Sequence, residues 1–297
     1  MLEIKNLTKT FGDLKALDEV SLTLTPGLFG LLGPNGAGKS TLMRTLATLQ
    51  EPTSGTVHFN GVDITERPDT VRSVLGYLPQ DFGVYPRMSA IQLLDHIAIL
   101  KGITDKAARK DQVESLLQMV NLWTHRTASV STYSGGMRQR FGVAQALLGD
   151  PQLIIVDEPT AGLDPLERQR FLDILSRAGD EKIIILSTHI IEDVRDLCND
   201  MGVMGNGRLI IRGAPEDLVA EIDGKVWTQR VDNDDDVDKM KTTMPVLSTR
   251  RLRGQTVVSV LSDTSPGKGW TKRETLLEDA YFAHLNGLMN AEIRDAA

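Results

Sequence analysis

Short apolar runs alternate along this chain with stripes of helical spacing. Val20, Leu22 and Leu24 alternate with polar neighbours, so residues 19–24 are expected to form a strand with one buried face, as are residues 2–7. Leu28-Phe29-Gly30-Leu31-Leu32 is a continuous apolar run of strand length. Leu42, Leu46 and Leu49, spaced four and three apart, mark a helix after it. Residues 51–55 read as a turn, Val57 and Phe59 as another strand, and Asn60-Gly61 as a hairpin turn. Val74 to Leu78 is strand-like and stops at Pro79-Gln80. Residues 89–101 and 105–121 carry helical spacing, the second through Val113, Leu116, Leu117 and Val120. A helix is expected from Ser134 to about Gly149. Leu153-Ile154-Ile155-Val156, Ile183 to Leu186 and Leu209-Ile210-Ile211 have the length of buried strands, and Pro215 opens a helix with an acidic first turn.

Apolar runs that alternate with helices predict an α/β fold, a mostly parallel sheet covered on both faces. The helical block, about residues 88–150, interrupts that alternation and reads as an inserted subdomain. A break near Asp223-Gly224 divides residues 1–223 from a small extension, residues 224–297. In the extension Val226 to Val231 and Thr256 to Leu261 read as strands, and residues 273–286 as a helix. The acidic run from Asp232 to Asp238 reads as a solvated turn or helix start, since it lacks the glycine and closing glutamate of a calcium loop.

Composition narrows the possibilities. A length of 297 residues supports a substantial core, and 41% hydrophobic content is ordinary for a soluble protein. A net charge of −7 argues against non-specific nucleic-acid binding as the main task. The single cysteine, Cys198, rules out an intrachain disulfide and fits a reducing compartment. No apolar run approaches the roughly 18 residues that span a bilayer, and the N-terminus lacks the basic-then-apolar design of a signal peptide. A cytosolic location is expected, with any membrane role supplied by a partner.

Candidate chemistry centres on Gly33-Pro34-Asn35-Gly36-Ala37-Gly38-Lys39-Ser40-Thr41, which fits the phosphate-binding pattern G-x-x-x-x-G-K-[ST] between a strand and a helix. Its glycines let backbone N–H groups turn around an anion, and the following helix N-terminus adds free donors and partial positive charge. Lys39 would carry charge to the β- and γ-phosphates, and the Ser40 hydroxyl would ligate Mg²⁺. Asp157-Glu158 sit at the C-terminal end of a buried strand, the edge where open α/β sheets bind ligands. Asp157 is placed to hold Mg²⁺ opposite Ser40. Glu158 is placed to accept a proton from attacking water. Ser134-Gly135-Gly136 opens a second helix with a serine cap and small residues, a further anion-binding start. His189 follows the strand ending near Ser187, at the same sheet edge as Asp157.

Together these motifs resemble the nucleotide-binding subunit of ATP-binding cassette (ABC) transporters, over about residues 2–220. Tyr133-Ser134-Gly135-Gly136-Met137 is similar to the family signature Leu-Ser-Gly-Gly-Gln, with Met137 and Tyr133 as departures. Asp157 to Asp164 resembles the acidic motif and the loop that ends in aspartate. Gln80 resembles the lone glutamine between the two halves, also a metal ligand, His189 the switch histidine, and Phe11 the aromatic that stacks on adenine. The resemblance implies a P-loop NTPase core with a mostly parallel sheet, an N-terminal antiparallel β subdomain, an inserted α-helical subdomain and a small α+β C-terminal extension. It also implies a Mg-dependent ATPase that pairs head-to-tail with a second subunit as a homodimer, with ATP between Lys39 of one and Ser134, Gly135 and Gly136 of the other, a separate membrane permease and a seat on the cytoplasmic face. Val84-Tyr85-Pro86, Tyr133-Ser134-Gly135-Gly136-Met137-Arg138-Gln139-Arg140 and the terminal Thr275-Leu276-Leu277-Glu278-Asp279-Ala280-Tyr281-Phe282 resemble the daunorubicin and drug-resistance exporter ATPases, so export is expected ahead of import. A ribosome-acting cassette would resemble two fused cassettes. A chromosome or repair ATPase would need a long coiled coil between Lys39 and Ser134, where no sustained heptads occur.

Overall fold

A computed structural model describes residues 1–289 apart from 84 and 180, with only the backbone at 234. Val84 and residues 290–297 of the readings above lie outside the described residues. The chain opens with strands β1 (Leu2–Phe11) and β2 (Leu14–Leu24), then β3 (Gly27–Leu32) and helix α1 (Lys39–Leu46). Next come β4 (Ser54–Phe59), β5 (Val62–Asp63), α2 (Pro68–Arg72) and β6 (Leu75–Leu78). The helical insertion holds α3 (Ala90–Leu100), α4 (Lys106–Met119) and α5 (Gly135–Leu147). The α/β alternation resumes with β7 (Leu153–Asp157), α6 (Pro165–Ala178), β8 (Ile183–Thr188), α7 (Ile191–Leu197), β9 (Asp200–Gly205), β10 (Arg208–Gly213) and α8 (Pro215–Glu221). The chain then builds β11 (Val226–Val231), α9 (Asp234–Thr243), β12 (Val246–Leu252), β13 (Gln255–Leu261), β14 (Thr271–Lys272) and α10 (Leu277–Leu285).

The central sheet has the order β10-β9-β3-β8-β7-β6 and is parallel except for β10. Its inner strands β7 and β8 are buried throughout, because helices cover both faces and no residue meets water. An antiparallel sheet, β2-β1-β4-β5, packs Leu2, Ile4, Leu7 and Leu22 with α1 and one face of the central sheet. The other face packs with the helical insertion in one continuous apolar core that also takes in Leu277, Ala280 and Tyr281 of α10. A third sheet, β12-β13-β11-β14, is antiparallel and carries α9 on one side through Val231, Val237 and Val258.

Several elements differ from the pattern-based expectation. Helix α1 ends at Leu46, so Leu49 lies past it and is 62% exposed instead of continuing the apolar stripe. β1 and β2 are longer than expected because bulges at Asn6 (φ 47) and Glu19 (φ 55) break the alternation without ending the pairing. Strand β9 was hidden by Gly202 and Gly205, which lack side chains because Leu209 and Ile210 pack against their backbones. The helix expected at 273–286 begins only at Leu277, with β14 and an extended segment before it. The acidic run forms the start of α9, capped by Asn233, with Lys239 and Lys241 facing Asp236 and Asp238.

Candidate nucleotide site

The site grows out of the end of β3. Gly33 has Met204's carbonyl so close that a Cβ would sit 2.6 Å from it. Gly38, at φ 104, would drive a Cβ into the Ala16 carbonyl. Both positions therefore require glycine, and the loop between them wraps backward before α1 begins at Lys39. The first turn of a helix leaves its N–H groups without intrahelical partners, so the loop and α1 together present donors to an anion.

Lys39 folds back over this cradle. Its Nζ donates to the Gly33 carbonyl at 2.6 Å and the Pro34 carbonyl at 3.4 Å, and lies 3.2 Å from Glu158 Oε1. The other Glu158 oxygen is 2.6 Å from His189 Nδ1. Lys39 is 5% exposed and Glu158 6%, so their attraction is little screened by water. A loop cation, a strand-tip acid and an imidazole thus form one chain of contacts. The backbone explains why two adjacent acids part company. Glu158 adopts φ 49, and its N–H donates to the Ser187 carbonyl at 2.8 Å. This left-handed residue turns the chain out of β7 immediately after Asp157. Asp157 itself is buried, and its Oδ1 has no hydrogen-bond partner.

A cavity of about 560 Å³ gathers Phe11, residues 34–41, Gln80, Glu158 and His189. Phe11 is 51% exposed at its mouth, with the Lys9 ammonium 5.2 Å from the ring centre. Gly33 and Asp157 do not line the cavity; Gly33 is tied to it through its carbonyl on Lys39, and Asp157 directly precedes Glu158 in the chain. Ser134, Gly135, Gly136 and Asp164 lie outside this cavity. Ser134 caps α5 by accepting from the Met137 N–H at 3.2 Å, and Asp164 caps α6 by accepting from the Glu167 N–H at 2.9 Å. Gly136 faces Glu167, whose carboxylate also takes Arg140 Nε at 2.9 Å and so joins α5 to α6. Tyr133 is buried and donates to the His125 carbonyl at 2.8 Å, which accommodates it where the family signature has leucine.

Sequence reading missed the opposite wall, made by Leu14, Lys15, Ala16, Asn206 and Gly207. The Asn206-Gly207 turn between β9 and β10 props the loop, its Gly207 N–H donating to the Ala37 carbonyl at 3.0 Å. Asn-Gly between apolar runs was the available signal. Lys15 and Arg208 both hydrogen-bond Asp18 and hold its carboxyl below the usual range.

A glycine-rich loop between a central parallel strand and its helix, with its lysine facing an acid on the tip of a nearby strand, defines a P-loop nucleoside triphosphatase. Within that class the chain belongs to the ABC transporter family, as an ATP-binding subunit. The family model described as ABC transporter matches residues 17–161. The Nod factor export ATP-binding protein I of Cupriavidus metallidurans is 36% identical over 99% of both chains. The linearmycin resistance ATP-binding protein LnrL of Bacillus subtilis is 33% identical over 77% of this chain and 74% of its own. The phosphonates import ATP-binding protein PhnC of Rhizobium johnstonii is 32% identical over 84% of this chain and 94% of its own. Among solved structures, an ATP-binding subunit of an ABC transporter superposes with a TM-score of 0.67 at 28% identity, covering 74% of this chain and 92% of that one. A dimeric post-hydrolysis state of an ATP-binding cassette bound to ADP and Pi has a TM-score of 0.66 at 25% identity, covering 72% and 98%. Among the described residues no helix is long and apolar enough to cross a membrane.

Proposed function

We propose that this subunit hydrolyses Mg-ATP to drive export through a separate membrane permease. The observation that carries the reading is the contact chain Lys39–Glu158–His189 at the floor of a glycine-loop cavity. An entering γ-phosphate competes with Glu158 for Lys39, which frees the carboxylate to orient water or take its proton. His189, already on Glu158 Oε2, would fix the carboxylate and contact the phosphoryl group, a role its contact with Glu158 supports. Phe11 offers its exposed ring to adenine. Ser40, Gln80 and Asp157 would hold Mg²⁺, a role that the unpartnered buried Asp157 Oδ1 supports. The ion, when bound, offsets charge on the transferring phosphoryl group.

Two subunits would meet head-to-tail, most simply as a homodimer, with Ser134, Gly135 and Gly136 of one capping the ATP held at Lys39 of the other and Asp164 at the seam. The dimeric, ADP-bound and Pi-bound state described for a structural relative supports this arrangement. Gln80 leads from the cavity towards the helical insertion, about residues 88–150, which would take the stroke to the permease at the cytoplasmic face. Export is supported by the relatives named for Nod factor export, two of which match the extension as well as residues 1–223. Deleting the gene should then raise intracellular accumulation of amphipathic toxins. A growth defect cured by excess of a nutrient solute would favour import instead.

The catalytic assignment is tested by two substitutions. Glu158→Gln should lower turnover by about 10²–10⁴ while ATP still binds. Lys39→Ala should weaken ATP binding itself. Near-normal turnover in the first, or unchanged nucleotide affinity in the second, refutes the assignment.

A further inference from the structure

The last sheet has two unlike faces. Alternation sends Val231, Val258 and Val260 to α9, and turns the opposite residues outward. Register on that second face places Ser248, Ser259, Thr228 and Thr271 in one row across all four strands. In the next row Arg250 and Arg230 flank Val257. Strands lie about 4.8 Å apart, so the two arginines start about 10 Å from each other and long side chains can converge between them. Thr228 and Thr271 of the first row and Arg230, Val257 and Arg250 of the second line a groove of about 780 Å³, with Leu252 at one side and Arg273 at the other.

The groove is bounded, not flat. Arg273 closes one end by pairing with Asp279 of α10 at 2.5 and 2.7 Å, and it also donates to the Ser259 hydroxyl at 3.4 Å. Gly269 brings the 262–270 loop to the rim. Its charge is one-sided. Asp279 is already engaged by Arg273, and among the described residues Arg230 and Arg250 make no ion pair, in a chain whose net charge is −7. The Thr228 hydroxyl and Arg273 Nε are buried without hydrogen-bond partners beneath this surface. Guanidinium forks match carboxylate and phosphate oxygens, and hydroxyls donate to the same groups. The Val257 and Leu252 side chains supply an apolar floor beside them. The volume lies within the roughly 300–1,000 Å³ of small-molecule sites.

We propose that this groove binds a small soluble amphiphile with an oxyanion head, of the alkyl phosphate or medium-chain carboxylate class. The head sits between Arg230 and Arg250, and the chain lies over Val257 and Leu252. No residue of the nucleotide cavity takes part, so the proposal stands or falls apart from the ATPase reading.

The full-length protein is titrated calorimetrically with decyl phosphate below its micelle concentration. Inorganic phosphate, decanol and phosphatidylglycerol vesicles are titrated in parallel. Saturable one-to-one binding of decyl phosphate is expected, with inorganic phosphate and decanol each at least about tenfold weaker, since each lacks either the apolar or the charged contact. The double variant Arg230→Gln/Arg250→Gln should lose at least about tenfold in affinity, with ATP affinity and melting temperature unchanged. Val257→Glu, which sets a carboxylate between the arginines, should produce the same loss and serves if the double variant melts early. Absence of saturable binding, equal binding by both variants, or binding of the vesicles in place of the monomeric amphiphile would overturn the proposal.

Discussion

Glu158 is held in a backbone conformation that costs a non-glycine residue about 1–3 kcal/mol. It stays there because Lys39, His189 and the Ser187 carbonyl each engage it. The glycine loop and its lysine were legible because their signal is local, a fixed spacing between a strand and a helix. That Lys39 and Glu158 belong to one sheet edge was legible too; their direct ion pair was not, because it depends on the strand order β3-β8-β7 and on the turn at Glu158. Cys198 offers a separate test at this scale. Burial, with Asp193 and Asp200 nearby, pushes its thiol from 9.0 up to about 12. A thiol raised on folding keeps its full contribution to stability below the unfolded value. It loses that contribution as pH climbs from about 9 towards 12. At pH 8, dithionitrobenzoate should therefore label Cys198 only as fast as the protein opens, and at once in guanidinium chloride. Immediate labelling of the native protein would contradict the buried geometry.

Among elements, the α5–α6 contact is tied by a charged pair. Arg140 is buried, donates to the Val120 and Asn121 carbonyls, and meets Glu167 of the next helix. Glu167→Gln leaves that guanidinium without its counter-charge and should lower unfolding stability by about 3 kcal/mol in urea titrations. A loss below about 0.5 kcal/mol would mean that the carbonyls alone satisfy Arg140. Elements with a local signal, such as the continuous apolar runs of β7 and β8 and the Ser134 cap of α5, were readable from the chain. β12 escaped because Arg250 and Arg251 follow one another on an edge strand, so both faces of its second half are polar and exposed and no alternation marks it. The start of α10 was misplaced because Arg273 and Asp279 pair through a bend that helical spacing cannot reveal.

At the scale of the whole molecule, Ser134 lies outside the cavity that Lys39 lines, so on the proposed head-to-tail reading a complete site would take two copies. Glu158→Gln with Mg-ATP should elute as a dimer in size-exclusion chromatography, and the wild type with ADP as a monomer. Monomers in both conditions would remove the head-to-tail arrangement. Membership of the family was legible because its motifs keep their order along the chain, whereas transport direction was not, because on the proposed reading the cargo would contact a separate permease. One further consequence comes from α10, whose Leu277, Ala280 and Tyr281 share a core with Val194, Cys198 and Ile211. A gene fragment trimmed at the apparent domain break would strip the cover from that greasy seam and clump when expressed, so the tail travels with the motor even though the chemistry finishes long before it.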